Sequence, residues 1–150
     1  MRTIRNLLTV AGCIVASAIL TASASAAPAF QPLKLSKECS KYTGDIGSFC
    51  TITESNFAPI PVGTKVFYYG PMTGSPLFTS SSVVLDAGVG NTAIGYCIVE
   101  DNANPPLGKC AFSAGTGTLA GFQAIATVTV DAKQIWHWDG GYVIGAAKTN

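Results

Sequence analysis

Residues Ala124 to Val130 read "AIATVTV". Ala124, Ala126, Val128 and Val130 fall on one face of an extended chain, with Ile125, Thr127 and Thr129 on the other. Successive strand side chains point to opposite sides, so small and branched residues facing hydroxyls describe a half-buried strand. The next segment, "QIWHWDGGY" (Gln134–Tyr142), keeps the same period. Read as one strand, Trp136, Trp138, Gly140, Tyr142 and Ile144 share a face, opposite Ile135, His137, Asp139, Gly141 and Val143. Three aromatics at period two suit a barrel interior or a pocket wall, and they turn His137 outward. If Asp139-Gly140-Gly141 were instead a hairpin turn, the phase would reset after Asp139.

Outward from this pair, the chain continues in the same style. Val, Ile, Thr, Tyr and Phe cluster in short runs between recurring Gly and Pro, the pattern of an all-β chain. The expected strands are Phe49–Glu54, Thr64–Tyr69, Ser82–Asp86, Thr92–Glu100, Gly108–Ala114, Gly121–Val130 and Gln134–Gly145. A further short strand is expected near Ile60–Val62 or Thr116–Leu119. Seven or eight strands fit a sandwich or a closed barrel. Both faces of "AIGYCIV" (Ala93–Val99) are apolar, so either could lie inside. The segment before Phe49 has mixed polarity and no clear period, and 27–48 is expected to be an irregular arm over a domain spanning 49–150.

The first residues carry a different signal. Arg2 and Arg5 precede an apolar run from Leu7 to Leu20 and the small-residue stretch "TASASAAPAF". This layout predicts a secretory signal peptide over 1–26, cleaved after Ala26. A second reading takes "VAGC" (Val10–Cys13) as a lipoprotein box, but that leaves a very short apolar region before Cys13. Cleavage at Ala26 predicts an exported protein, periplasmic or extracellular, with no membrane span in the mature chain.

After that cleavage seven lysines and eight acids remain, with no arginine. There is then no basic footprint for nucleic acid, and no guanidinium fork for phosphate or carboxylate. The cysteines left are Cys39, Cys50, Cys97 and Cys110. An even number in an exported chain reads most simply as two disulfides. Of the three connectivities, Cys39–Cys50 and Cys97–Cys110 are favoured because each closes a short loop. No C-x-x-C occurs and the chain has one histidine, so no metal site is expected.

The stretch Phe112–Phe122, "FSAGTGTLAGF", resembles the F-x-x-G-T-G-x-[FL]-x-G pattern of allene oxide cyclase and dirigent-type barrels. From about Cys50 to Ile144 the chain is similar to bacterial exported proteins described as allene oxide cyclase barrel-like. The matching pieces are "CTITESNFAPIPVGTKV", "VVLDAGVGNTAIGYC", "CAFSAGTGTLAGF" and "WHWDGGY". The resemblance implies a single eight-stranded antiparallel β-barrel, lipocalin-like in shape, with a pocket at one mouth. Under it Gly115, Gly117 and Gly121 would serve a bend and close backbone approach. Members of the two named families cyclise a fatty-acid epoxide or steer phenolic coupling, but their functional positions do not map residue by residue onto this chain.

Candidate chemistry is sparse. A His137–Asp139 pair lacks a nucleophile, because no G-x-S-x-G elbow is present and the cysteines are committed to disulfides. Glu54, Asp86, Glu100, Asp101, Asp131 and Asp139 sit mostly at expected strand ends, where barrel pockets open. Glu54, which ends the alternating "FCTITE", could lean into a mouth as an acid or base. Glu54 and His137 are therefore weak catalytic candidates. Trp136, Trp138, Tyr142, Phe67 and Tyr69 are the expected pocket walls.

The leading expectation is an exported barrel that binds a small apolar, aromatic or phenolic molecule without a cofactor. One alternative is a cofactor-free cyclase or isomerase, which needs a polar residue buried in the pocket. The other is a non-catalytic surface or protein-interaction module, with a homo-oligomer left open. An exposed apolar face on Ala93–Val99 would favour that second alternative.

Overall fold

A computed structural model describes residues 29–69, 78–100 and 102–145. The expected signal peptide, Cys13 and Asp101 lie outside these residues. The alternating segments form eight strands: β1 (Gln31–Glu38), β2 (Phe49–Ser55), β3 (Lys65–Tyr68), β4 (Phe78–Asp86), β5 (Thr92–Glu100), β6 (Leu107–Gly115), β7 (Phe122–Val130) and β8 (Trp136–Ile144). Each pairs antiparallel with the next, and β8 returns to β1 to close a barrel. Closure leaves no sheet edge whose backbone groups lack partners.

The arm expected over 27–48 needs correcting, because β1 lies inside it and the barrel begins at Gln31. In "QPLKLSKE", Leu33, Leu35 and Lys37 share the inward face. A lysine at the third inward position breaks the apolar period, which is why the strand did not stand out. The alternative positions for an eighth strand are also corrected: Ile60–Val62 lies in a turn, and Gly117–Leu119 forms a single 3-10 turn. The irregular part of the arm is residues 39–48, and Cys39–Cys50 ties it to β2.

Alternation sets the lumen. On β7, Phe122, Ala124, Ala126 and Val128 are buried, whereas Gln123, Ile125 and Thr127 are exposed. On β5 the buried Ala93 and Cys97 face in, and the exposed Ile94, Tyr96 and Ile98 face out. Cys97 lies directly opposite Cys110 of β6, and the two form the second disulfide inside the barrel. The exposed face of β5 continues through Ala111 to Ile125 of β7, since Tyr96 pairs with Ala111 and Ala111 with Ile125.

The lumen is filled unevenly. At the end where β1 begins, Phe57 stacks on Phe122 at 5.5 Å and packs against Tyr142 at 4.2 Å. Phe112 joins them, 6.0 Å from Phe122 and 5.5 Å from Trp138. The buried Ile60 and Leu119 belong to the same core. Aromatic pairs at such separations contribute beyond their buried area, so this half is a plug of packed rings. The Gly-Thr-Gly segment serves it sterically. Gly121 has φ +74°, and a Cβ there would meet the Gly145 carbonyl at 2.3 Å. Gly115 allows the turn to fold over, because a Cβ on it would lie 2.1 Å from the Leu119 carbonyl.

Candidate functional site

The other half of the barrel is hollow. A cavity of about 70 Å³ lies above the plug, bounded by side chains from all eight strands. Trp138, 1 % exposed and packed on Phe112, is buried beside the plug where the filled half ends. Val128, Ser81 and Tyr68 form further walls, and both disulfides line the space. Half-buried Cys39, Tyr42, Thr79, Val99 and Trp136 surround its outer part. The walls are thus aromatic, aliphatic and sulfur-bearing, with few polar groups, as in small-molecule sites generally. A cavity of about 150 Å³ holds benzene, so this one accommodates a few heavy atoms or the inner end of a longer molecule.

Lys37 enters this cavity from β1. It is only 4 % exposed, opposite Trp136 in the β1–β8 register and two pairs along from Leu35–Trp138. Its Nζ lies 4.3 Å from the centre of the Trp138 ring and 5.1 Å from that of Tyr68, and it donates a hydrogen bond to the Tyr68 hydroxyl. Among the described residues no carboxylate lines the cavity, and the only ion pair is His137–Asp131. The aromatic faces favour an ammonium, but loss of water outweighs them. Burial brings the Lys37 amine down from 10.5 to about 7. Burial also pushes the Tyr68 hydroxyl above its ordinary range, and Tyr42, its ring 4.6 Å away, acts in the same direction. Tyr68 therefore keeps its proton, and its oxygen sits 3.7 Å from Cys50 Sγ. The buried Trp138 Nε1–H has no hydrogen-bond partner among the described residues.

Of the expected walls, Trp136 and Trp138 line the cavity. Tyr142 belongs to the plug, against Phe57 and Phe122. Phe67 and Tyr69 lie on the outside of β3 and beyond its end, with Tyr69 54 % exposed. The reason is register: Val66 pairs with Leu85 and Tyr68 with Val83, all four buried, so the odd positions face water. The run "VFYY" is apolar on both faces and conceals that phase. Lys37 and Tyr68, with Tyr42, Thr79 and Ser81, are thus polar cavity groups that sequence reasoning missed. For Lys37 the available signal was its step of two from Leu33 and Leu35.

The catalytic candidates Glu54 and His137 meet on the outer wall. Ser36 pairs with Glu54 on β2 and with His137 on β8. Ser36 Oγ donates to Glu54 Oε2 at 3.0 Å and lies 3.1 Å from His137 Nδ1. Glu54 therefore does not lean into the mouth; it is exposed beside Ser36. The carboxylate nearest His137 is Asp131 at 3.4 Å, rather than the expected Asp139. Asp131 is placed by its own turn, accepting from the Lys133 and Ile135 backbone N–H groups at 2.9 Å. These bonds hold its carboxyl below the ordinary range, the Ile135 N–H first, with His137 adding to them. Ser36, His137 and Asp131 form a chain that superficially suggests a triad. A nucleophilic serine must hand its proton to the histidine, whereas the Ser36 proton goes to Glu54. The cluster therefore staples β1, β2, β8 and the β7–β8 turn together.

Among the described residues no cluster of three metal-ligating side chains occurs, and no helix is long and apolar enough to cross a membrane. In comparisons with known proteins, the chain matches no family, no curated protein and no solved structure.

Proposed function

We propose that the protein is an exported barrel that binds a small apolar or aromatic molecule in the lysine-bearing half of its lumen. The observation that carries this reading is the division of the lumen, with one half packed by Phe57, Phe112, Phe122 and Tyr142 and the other open around Trp136 and Trp138. A barrel that served only as a scaffold would gain by filling both halves, since each unfilled cavity forfeits packing energy. Export is supported by the signal-like first 26 residues and by two disulfides, which persist in oxidising compartments. The chain has two tryptophans and both line the cavity, so intrinsic fluorescence reports directly on occupancy. Titration with short alcohols, phenols and fatty acids should give a saturable change for at least one class. A panel that leaves the spectrum unchanged refutes the reading.

One observation favours a second reading, that of a cofactor-free cyclase or isomerase. That chemistry needs a polar group buried among apolar walls, and Lys37 is such a group. Its amine, at about 7, is suited to taking and returning a proton near neutrality. The resemblance of Phe112–Phe122 to allene oxide cyclase barrels supports the same reading. A turnover screen on unsaturated epoxides and ketones tests it. Turnover lost in Lys37→Met, with binding retained, supports the enzyme; turnover unchanged in that variant removes Lys37 from the chemistry.

A further inference from the structure

Apolar binding alone makes no use of the Lys37 amine. It would be served better by a methionine, because an amine kept from water costs free energy that a hydrophobic residue of similar length does not. Among the described residues the amine faces no carboxylate in the cavity, and its hydrogen-bond partner is the neutral hydroxyl of Tyr68. The groups around it in the cavity include Tyr68 on β3, Tyr42 on the segment before β2, the hydroxyls of Thr79 and Ser81 on β4, Trp136 and Trp138 on β8, and the two disulfides. Among these only the tyrosines titrate, so the ammonium is met by ring faces and neutral hydroxyls and by no opposite charge among the described residues.

We propose that Lys37 is a covalent anchor: its amine condenses with the carbonyl carbon of a small apolar or aromatic aldehyde held in the cavity, forming an imine. This rests on the reading of the cavity as an apolar ligand site and names the ligand class. The Nζ lone pair forms the C–N bond as the carbonyl π bond breaks, and one N–H proton moves to the oxygen to give a carbinolamine. That hydroxyl then departs as water while the second N–H proton is lost, leaving the C=N bond. Amine and aldehyde become imine and water, with no change of oxidation state and no co-reactant.

The surroundings fit each step. With its amine at about 7, Lys37 is substantially neutral at physiological pH, whereas an exposed lysine is almost wholly protonated. The Tyr68 O–H is in contact with Nζ and keeps its proton, so it can relay a proton toward the departing oxygen. The buried Trp138 Nε1–H has no acceptor among the described residues, and a ligand carbonyl would supply one. The narrow cavity favours an aldehyde, with one substituent on the reacting carbon, over a ketone with two.

The test is incubation of the purified protein with hexanal and sodium cyanoborohydride at pH 7, followed by intact mass and peptide mapping. One hexyl group is expected at Lys37, added about tenfold or more faster than at the exposed Lys34, Lys41, Lys65, Lys109 and Lys133. Lys37→Met should lose that adduct, and the wild-type peptide map gives the same answer even if the variant fails to fold. Hexanol, which lacks the carbonyl, tests the cavity separately. If hexanol changes tryptophan fluorescence but hexanal labels the lysines evenly or not at all, the imine is overturned and the apolar site stands. If neither compound acts on the protein, both readings fall. If hexanoate binds more tightly than hexanol and hexanal is not trapped at Lys37, the amine is an ion-pair partner and the imine is overturned.

Discussion

Lys37→Met should make the protein more stable at neutral pH, by an amount that shrinks as pH rises. In the unfolded chain the amine titrates near 10.5, and inside the barrel burial lowers it to about 7. Between those values the unfolded chain holds a proton that the folded protein lacks, so folding must release it. The penalty is full below about 7, fades as pH rises, and is gone above 10.5. At about 1.4 kcal/mol per unit, it amounts to about 4 kcal/mol at pH 7 and about 2 kcal/mol at pH 9. Methionine removes the penalty and keeps most of the volume, but it deprives the Tyr68 hydroxyl of a partner, at about 1–2 kcal/mol. The variant should therefore gain about 2–3 kcal/mol at pH 7 and about 0–1 kcal/mol at pH 9. The Tyr68 contribution does not change over this range, because that hydroxyl stays protonated. Urea denaturation of both proteins from pH 6 to 9, with disulfides intact, reads the difference directly. A difference that stays flat with pH, or a variant less stable than wild type at pH 7, would refute the reasoning.

Three further outcomes are expected. Val128→Phe puts a ring into the cavity from a wall position that is 2 % exposed; it should abolish the fluorescence response to hexanol while changing stability by less than about 3 kcal/mol in urea denaturation. Replacing Cys97 and Cys110 together by alanine opens a loop of 13 residues' separation, and should lower stability by about 3 kcal/mol in the same assay. His137→Ala removes the contacts to Ser36 and Asp131 on the outer wall; it should cost about 1 kcal/mol and leave ligand titrations unchanged, whereas a loss of binding or turnover would reinstate the histidine as a functional group.

Legibility in the sequence followed the contrast between the two faces of each strand. β7 and β8 were plain because "AIATVTV" sets small residues against hydroxyls, and because the tryptophans alternate with His137 and Asp139. Both disulfides follow from the four cysteines beyond the signal-like first 26 residues and the short loops between them. β1 was hidden because the residue that makes the cavity chemically distinctive, Lys37, is also the one that spoils the apolar period. In β3 the failure was the opposite: Phe67 and Tyr69 are as apolar as Val66 and Tyr68, and only pairing with Val83 and Leu85 sets the phase. The outer cluster was out of reach for a third reason. Ser36 and His137 are 101 residues apart, and only barrel closure brings β1 beside β8.

A crystal structure of the protein grown with hexanol tests the hollow half most directly. The expected result is ligand density inside the barrel, against Trp138 and Lys37, with the Phe57–Phe122 plug undisturbed. Density confined to the exposed Ile94, Tyr96 and Ile98 face, or side chains filling the lumen from end to end, would contradict a ligand site there.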